Sequence, residues 1–400
     1  MKGRERLQTD KLTQPLVPPM RAWQYRAMNL LMIPGPIEIS PRVASAAAQV
    51  PPGHMAPAFV ESFGRALKAM RKVWLAADDS QPFVSAGSGT TAMDMAVANL
   101  VEPGQKALVL WSGYFSDRLA EMVRRAGASV TLVYPGGAQV FDASLIGRTP
   151  SLADVEQAFS GQTLLFATHV DTSTGVRVDA KAFARFARAQ NMLSVFDGVC
   201  ATAGERFDMQ AWGADVYLTA SQKAIGAPPG LALLIASRRA LDARKAKASP
   251  PPLSLDWEQW MPIMQGYEAG TPKYFATPAT SLVLALEASL AELLDLGMDG
   301  VFAAQAAAAS RMGEAWSALG LRSLVQEERD VAGTLSALLC PDGVDAGFVK
   351  RVAANGVTIA GGLIAPLAAK YFRVGHMCHS ARTPEHLTRT IDAITRALRD

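Results

Sequence analysis

Apolar positions along the chain follow two periods. Phe59, Phe63, Leu67, Met70 and Trp74 recur at helical spacing and predict an amphipathic helix over residues 56–76. Beyond it, short continuous apolar runs at 107–111, 130–134, 163–170, 192–196, 216–219 and 231–236 alternate with amphipathic stretches at 115–126, 152–159 and 179–190. A strand covered on both faces reads as an unbroken apolar run. Strands alternating with helices predict an α/β fold: a mostly parallel mixed sheet with helices on both faces. The runs at 216–219 and 231–236 lie too close for a helical crossover and predict an antiparallel pair.

The alternation breaks at 249–278, a Pro- and Trp-rich segment expected on the surface or at an interface formed by Trp257 and Trp260. Helices are expected at about 279–296 and 299–318. Then come an apolar run at 334–339, a helix at 347–354, runs at 357–360 and 371–374, and a closing helix near 384–398. The expected organisation is an N-terminal arm over residues 1–29, a large domain over 30–280 and a smaller α/β domain over 281–400.

Composition narrows the function classes. Half of the 400 residues are hydrophobic and 19% are charged, which excludes a disordered chain. A net charge of +3 gives no bulk field for nucleic acid or a membrane surface. No apolar run reaches the length of about 18 residues that a membrane helix needs. The three cysteines, Cys200, Cys340 and Cys378, make no disulfide framework and no metal-ligand spacing. No metal is expected, and the reading is cytoplasmic. Glu5 and Asp10 argue against a transit peptide at the start.

Three polar signals fall where apolar runs end, the place at which open parallel sheets bind ligands. Gly87-Ser88-Gly89-Thr90-Thr91 precedes a helix carrying Met93, Met95, Val97 and Leu100. Free N–H groups at a helix start, beside Ser and Thr hydroxyls, form an anion cradle; a small-residue turn is the simpler alternative. Asp197 ends a buried run, and a carboxylate there calls for a cation, a donor or a capping role. Lys223, in Ser221-Gln222-Lys223, sits between apolar segments ahead of a rigid Pro228-Pro229-Gly230 turn. If desolvated, its amine is neutral and can form a Schiff base; a solvated surface lysine is the alternative. An anion cradle, a carboxylate and an amine together are what pyridoxal 5'-phosphate requires.

At this point the sequence resembles the class V branch of fold-type I pyridoxal-phosphate enzymes, and within it the alanine–glyoxylate aminotransferases of fungal type. The motifs that carry the resemblance are Ile33-Pro34-Gly35-Pro36, Gly53-His54-Met55 with Pro57 and Phe59, and the loop through Thr90. They continue with His169-Val170-Asp171-Thr172-Ser173-Thr174-Gly175 and Thr219-Ala220-Ser221-Gln222-Lys223. The last two are Tyr267-Glu268-Ala269-Gly270 with Tyr274-Phe275-Ala276-Thr277-Pro278, and Phe372-Arg373-Val374-Gly375-His376. The resemblance covers residues 30 to about 395.

The resemblance implies transamination from alanine to glyoxylate with pyridoxal 5'-phosphate as cofactor, amino acid and 2-oxo acid substrates, and a homodimer. It implies that Lys223 forms the Schiff base and moves the proton, and that Asp197 pairs with the pyridine nitrogen. Val199 and Phe115 would flank the ring and Thr172 would bond its oxygen. Ser88, Gly89, Thr90 and Gln222 would hold the phosphate, with Tyr274 and Thr277 reaching it from a neighbouring subunit. Gly35 and Arg373 would bind substrate, Arg373 as a bidentate clamp on the carboxylate. Two departures stand out: Gly198 and Cys200 replace the usual residues beside Asp197, and Cys378 stands where Gly is common.

Other activities fit the same framework: serine–glyoxylate or serine–pyruvate transfer, a phosphonate or pyridoxamine aminotransferase, a lyase or desulfurase using Cys340, or a non-catalytic binding protein. Cys340 is expected to be a buried strand residue, which disfavours the desulfurase. A nucleotide-binding domain is disfavoured because Ala92 replaces the third Gly of a dinucleotide motif and no P-loop Lys follows. His54 and His376 are expected to be structural, and His379 and His386 to be solvent-exposed.

Overall fold

The computed structural model describes residues 29–344, 347–365 and 367–399. Apart from Asn29, the expected N-terminal arm lies outside these residues. The apolar runs become a seven-stranded sheet built from β1 (Gln81–Ala86), β2 (Lys106–Leu110), β3 (Ser129–Val133), β4 (Leu164–Thr168), β5 (Leu193–Asp197), β6 (Val216–Ala220) and β7 (Leu231–Ala236). Their spatial order is β1-β7-β6-β5-β4-β2-β3. β7 runs antiparallel to both of its neighbours, and the pairs among β2 to β6 are parallel. The expected antiparallel pairing is present, with Leu234 opposite Leu218. One expected run is divided: after β4 the chain turns at His169, and Val170–Asp171 pairs instead with Val176–Arg177.

The principal helices are α1 (Pro57–Val73), α2 (Gly89–Leu100), α3 (Tyr114–Arg125), α4 (Ala180–Ala189), α5 (Trp257–Glu268), α6 (Thr280–Leu296), α7 (Met298–Ala318) and α8 (Pro384–Ala397). The amphipathic ones bury one stripe. On α3 the buried side is Ser116, Leu119, Ala120 and Val123, the i, i+3, i+4, i+7 pattern of a helix laid on a sheet. The main core joins both faces of the sheet to α1 and α6 and extends to Val301.

Within the segment 249–278 the expectation of a surface or interface position fails for the two tryptophans. The segment holds α5, and Trp257 and Trp260 are buried inside the chain. Trp257 stacks on Phe83 of β1 at 5.6 Å, and Trp260 meets Phe275 edge-on at 5.0 Å. Polar anchors hold the segment down: Asp256 caps α5 through Glu258 N at 2.9 Å, and both of its oxygens accept Nη2 of the buried Arg244 at 2.9 Å.

A second core gathers Met312 and Trp316 of α7, Leu387 and Ile394 of α8, and Leu30 and Met32 from the start of the described chain. It backs a three-stranded antiparallel sheet of β8 (Leu335–Leu339), β9 (Ala360–Gly361) and β10 (Tyr371–Gly375), in the order β8-β10-β9. The run expected over 357–360 is split: Val357–Thr358 pairs in parallel with Leu30–Leu31, and Ala360–Gly361 pairs with β10. Cys340 follows β8 rather than lying within it and is partly exposed, because the chain turns away at Pro341. His379 and His386 are half-buried rather than exposed, their rings meeting edge-on at 5.5 Å. No helix among the described residues is long and apolar enough to cross a membrane.

Candidate active site

β1 and the strands β2 to β6 all point the same way, so the loops after β1, β2, β4, β5 and β6 meet at one end of the sheet. They line a single cavity. Its wall contains Ser88, Gly89 and Thr90 after β1, Phe115 after β2, Thr172 after β4, Asp197 and Val199 at and after β5, and Gln222 and Lys223 after β6. The cavity therefore gathers nine of the residues singled out in the sequence although they span 136 positions of chain (Ser88 to Lys223).

The anion cradle is the start of α2. First-turn N–H groups of a helix have no intrahelical partner, and the first-turn residues Gly89 and Thr90 line the cavity. Ser88 N is itself capped by Thr91 Oγ1 at 3.1 Å. Gly89 is required here: a Cβ would stand 2.6 Å from Val199 Cγ2, so cradle and cavity wall are in direct contact.

Asp197 is buried. Its Oδ1 accepts Val199 N–H at 2.8 Å, and among the described residues it has no ion-pair partner. Burial pushes its carboxyl up to about 7, helped by the Asp171 charge and opposed by the Val199 N–H, Thr168 and Lys223. Lys223 Nζ donates to Pro34 O. Burial pushes the amine below the ordinary lysine range; Cys200 and Asp197 oppose this and Arg373 adds to it. Gly35 adjoins this contact with φ of +93°, and a Cβ there would stand 2.6 Å from Lys223 Nζ. Only glycine leaves room for the lysine.

Arg373, on β10, comes from the second core. Its Nε donates to Gly361 O at 2.9 Å and its Nη1 to Thr172 O at 3.0 Å. These two carbonyls orient the guanidinium beside the cavity and leave its Nη2 edge for a ligand. The structure does not bring Tyr274 and Thr277 to the cavity: both are exposed, Tyr274 at 66%.

Both departures have a packing reason. A Cβ on Gly198 would overlap the Tyr217 ring, which is stacked at 3.7 Å on Phe207. Cys378 adopts φ of +54°, and its Sγ fills the space beside Gly226. Cys200 is buried, and burial pushes its thiol up to about 11, unlike a reactive thiolate.

The sequence reading gave no site role to two residues. Asp171 is fully buried and accepts the N–H of Phe115 at 3.1 Å and that of Ser116 at 3.3 Å. Arg118 lines the cavity and donates to Thr90 Oγ1 at 3.0 Å. The spacing of Tyr114, Phe115 and Arg118 offered a signal, because i, i+3 and i+4 share a helix face.

Comparison with known proteins agrees with this layout. Residues 53–378 match the model of the family described as aminotransferase class-V. The alanine–glyoxylate aminotransferase 1 of Saccharomyces cerevisiae is 35% identical over 88% of this chain and 92% of its own. The L-aspartate–glyoxylate aminotransferase of Paracoccus denitrificans is 30% identical over 88% and 87%. The crystal structure of the alanine–glyoxylate aminotransferase from Nostoc superposes with a TM-score of 0.82, at 28% identity and 98% coverage of both chains. With the family model spanning most of its length, this chain belongs to the class V aminotransferases, enzymes that move an amino group between an amino acid and a 2-oxo acid.

Proposed function

We propose that this transaminase takes the amino group of alanine and delivers it to glyoxylate, releasing pyruvate and then glycine in two half-reactions on pyridoxal 5'-phosphate. The observation that carries this reading is the pairing, in one cavity, of a buried carboxylate with no ion-pair partner among the described residues (Asp197) and a buried amine of lowered basicity (Lys223). The remaining fit is also good. Gln222 brings a side-chain amide donor to the cavity wall, and the start of α2 adds first-turn N–H groups. A phosphorylated pyridine bearing a protonated nitrogen would satisfy each of these.

When bound, the cofactor supplies a carbonyl that holds the amino group and a ring that draws electrons from the donor's α-carbon. The protein's part is binding, orientation and proton movement. Ser88, Gly89, Thr90 and Gln222 hold the phosphate. Val199 and Phe115 cover the two ring faces, and Thr172 bonds the ring oxygen. Asp197 becomes fully ionised once a cation stands beside it, and in return keeps the ring nitrogen protonated. The Lys223 amine, its basicity lowered by burial, takes the α-proton at Nζ and returns it. Arg373 binds the substrate carboxylate beside Gly35. Tyr274 and Thr277 complete the phosphate site from a second copy of the chain, which makes the working unit a homodimer; their exposure away from their own cavity supports this. The three unpaired cysteines suit a cytoplasmic setting.

The yeast and Paracoccus relatives are both glyoxylate aminotransferases, and the yeast enzyme is named for alanine as donor. The test is a half-reaction screen. Cofactor-loaded protein is mixed with alanine, serine or aspartate, and the visible absorbance of the lysine-bound cofactor is followed. Fast loss with alanine and recovery with glyoxylate is the expected result. Response to serine or aspartate but not alanine would overturn the donor, and response to no amine would overturn the assignment. Lys223→Ala is expected to abolish both turnover and absorbance.

A further inference from the structure

We infer that Arg118 is the cation that balances the cofactor's phosphate, and so sets its affinity, in a cradle otherwise made of neutral donors. The inference rests on the function proposed above.

A phosphate monoester carries about −1.5 to −2 charges near neutral pH. Ser88, Gly89, Thr90 and Gln222 offer it hydroxyl, amide and N–H groups, and the α2 terminus adds about half a positive charge. The two cationic side chains in the cavity wall are Lys223 and Arg118. Lys223 is committed to Pro34 O and to the carbonyl chemistry. Arg118 faces the other way. Its Nη1 donates to Thr90 Oγ1 at 3.0 Å and its Nη2 to Tyr114 Oη at 3.3 Å. Its Cζ lies 5.0 Å from the Phe115 ring centre and 5.1 Å from that of Tyr114. Among the described residues no carboxylate pairs with it. A guanidinium at a cavity wall, bonded to the cradle's own hydroxyl and without an anionic partner, is set to receive an oxyanion. It offers donors in a fixed fork that suits phosphate. The same residue packs on the ring-covering Phe115, so phosphate and ring would be located by one side chain.

The test separates charge from packing by comparing two ligands. Dissociation constants for pyridoxal 5'-phosphate and for unphosphorylated pyridoxal are measured by equilibrium dialysis on the cofactor-free protein, with Arg118→Gln and Arg118→Lys alongside the wild type. Arg118→Gln is expected to lose at least about tenfold in affinity for pyridoxal 5'-phosphate, the scale of one charge-assisted hydrogen bond. Its affinity for pyridoxal should stay within about twofold, and Arg118→Lys should recover part of the loss. The phosphorus resonance of the bound cofactor should be independent of pH in the wild type and titrate in Arg118→Gln. Equal losses for both ligands would show that Arg118 acts only through Phe115, and no loss would show no role; either overturns the inference. Thermal unfolding of the cofactor-free variants checks their folding, and a glutamine variant that does not fold is replaced by Arg118→Met, which removes the charge, keeps an apolar stem against Phe115 and is expected to weaken the phosphorylated ligand alone. Wild-type protein that takes up no cofactor would overturn the proposed function itself, whereas a wild type that binds and is indifferent to residue 118 overturns this inference only.

Discussion

The backbone N–H of Phe115 is held by the buried carboxylate of Asp171, at 3.1 Å. The same carboxylate takes Ser116 N and Ser112 Oγ, each at 3.3 Å, and its other oxygen takes Ser173 N at 3.0 Å and Ser173 Oγ at 2.6 Å. Ser173 Oγ in turn accepts Tyr114 N at 2.9 Å. One carboxylate at the start of α3 therefore fixes the position of the ring-covering Phe115 relative to Thr172, its own neighbour in sequence. Burial raises its pKa, and the bonds from Ser173, Ser116 and Phe115 pull it back down.

Asp171→Asn replaces an acceptor oxygen with an N–H₂ group facing backbone donors. The expected cost is about 1–3 kcal/mol of stability, the usual penalty for an unsatisfied buried polar group. Faster cofactor release should accompany it. Urea unfolding and the rate of cofactor loss on dilution check this; unchanged values for both would remove the positioning role.

Gly35→Ala is expected to leave the fold intact and to block the lysine. The new methyl would overlap the Lys223 side chain at φ of +93°, a region that costs an L-residue about 1–2 kcal/mol. The protein should show unchanged far-ultraviolet circular dichroism and little visible absorbance with cofactor. Wild-type absorbance would contradict the geometry.

Asp197 should make the cofactor-free protein less stable as pH rises. Its carboxyl is raised from about 3.8 to about 7 in the folded chain. Between these values the folded state binds more protons than the unfolded state, so stability falls across the window. The cofactor-free Asp197→Asn variant should match the wild type near pH 4 and exceed it at pH 8, by up to about 4 kcal/mol. Urea midpoints at the two pH values measure this, and a constant difference would exclude it.

Buried histidines act in the opposite sense. Burial lowers His169, bonded to Tyr217 Oη at 2.9 Å, to about 3, and His376 to about 4. A histidine held neutral in the fold but free to charge when unfolded contributes stability above about pH 6.5 that is lost as pH falls. The loss is roughly 1.4 kcal/mol per pH unit for each group. The stability difference between wild type and His169→Gln is expected to shrink from pH 7 to pH 5; a flat difference would rule this out.

How much was legible depends on the range of the interaction. The apolar runs that became β2 and β4 to β7 were readable because a strand buried on both faces leaves no polar position to interrupt it. Ser88, Asp197 and Lys223 were readable because polar residues at the ends of such runs are exceptional. Trp257 and Trp260 were misplaced, because proline-rich composition says nothing about Phe83 or about the Arg244–Asp256 pair that seats the segment. Cys340, His379 and His386 were misjudged for a related reason: whether a residue at the end of an element is covered depends on where the next element returns.

By itself the sequence determined the alternating elements, the positions with unusual chemistry and the family pattern they compose, since each is written in local periodicity or short motifs. Only the tertiary structure decided that β7 separates β1 from β6, that Leu30 packs with residues near the far end of the chain, and that Asp171 and Arg118 belong to the site. Those facts depend on contacts between segments far apart in sequence, such as Asp171 with Phe115 and Arg118 with Thr90. A carboxylate or a guanidinium carries no mark of its eventual partner until the sheet order brings the two loops together.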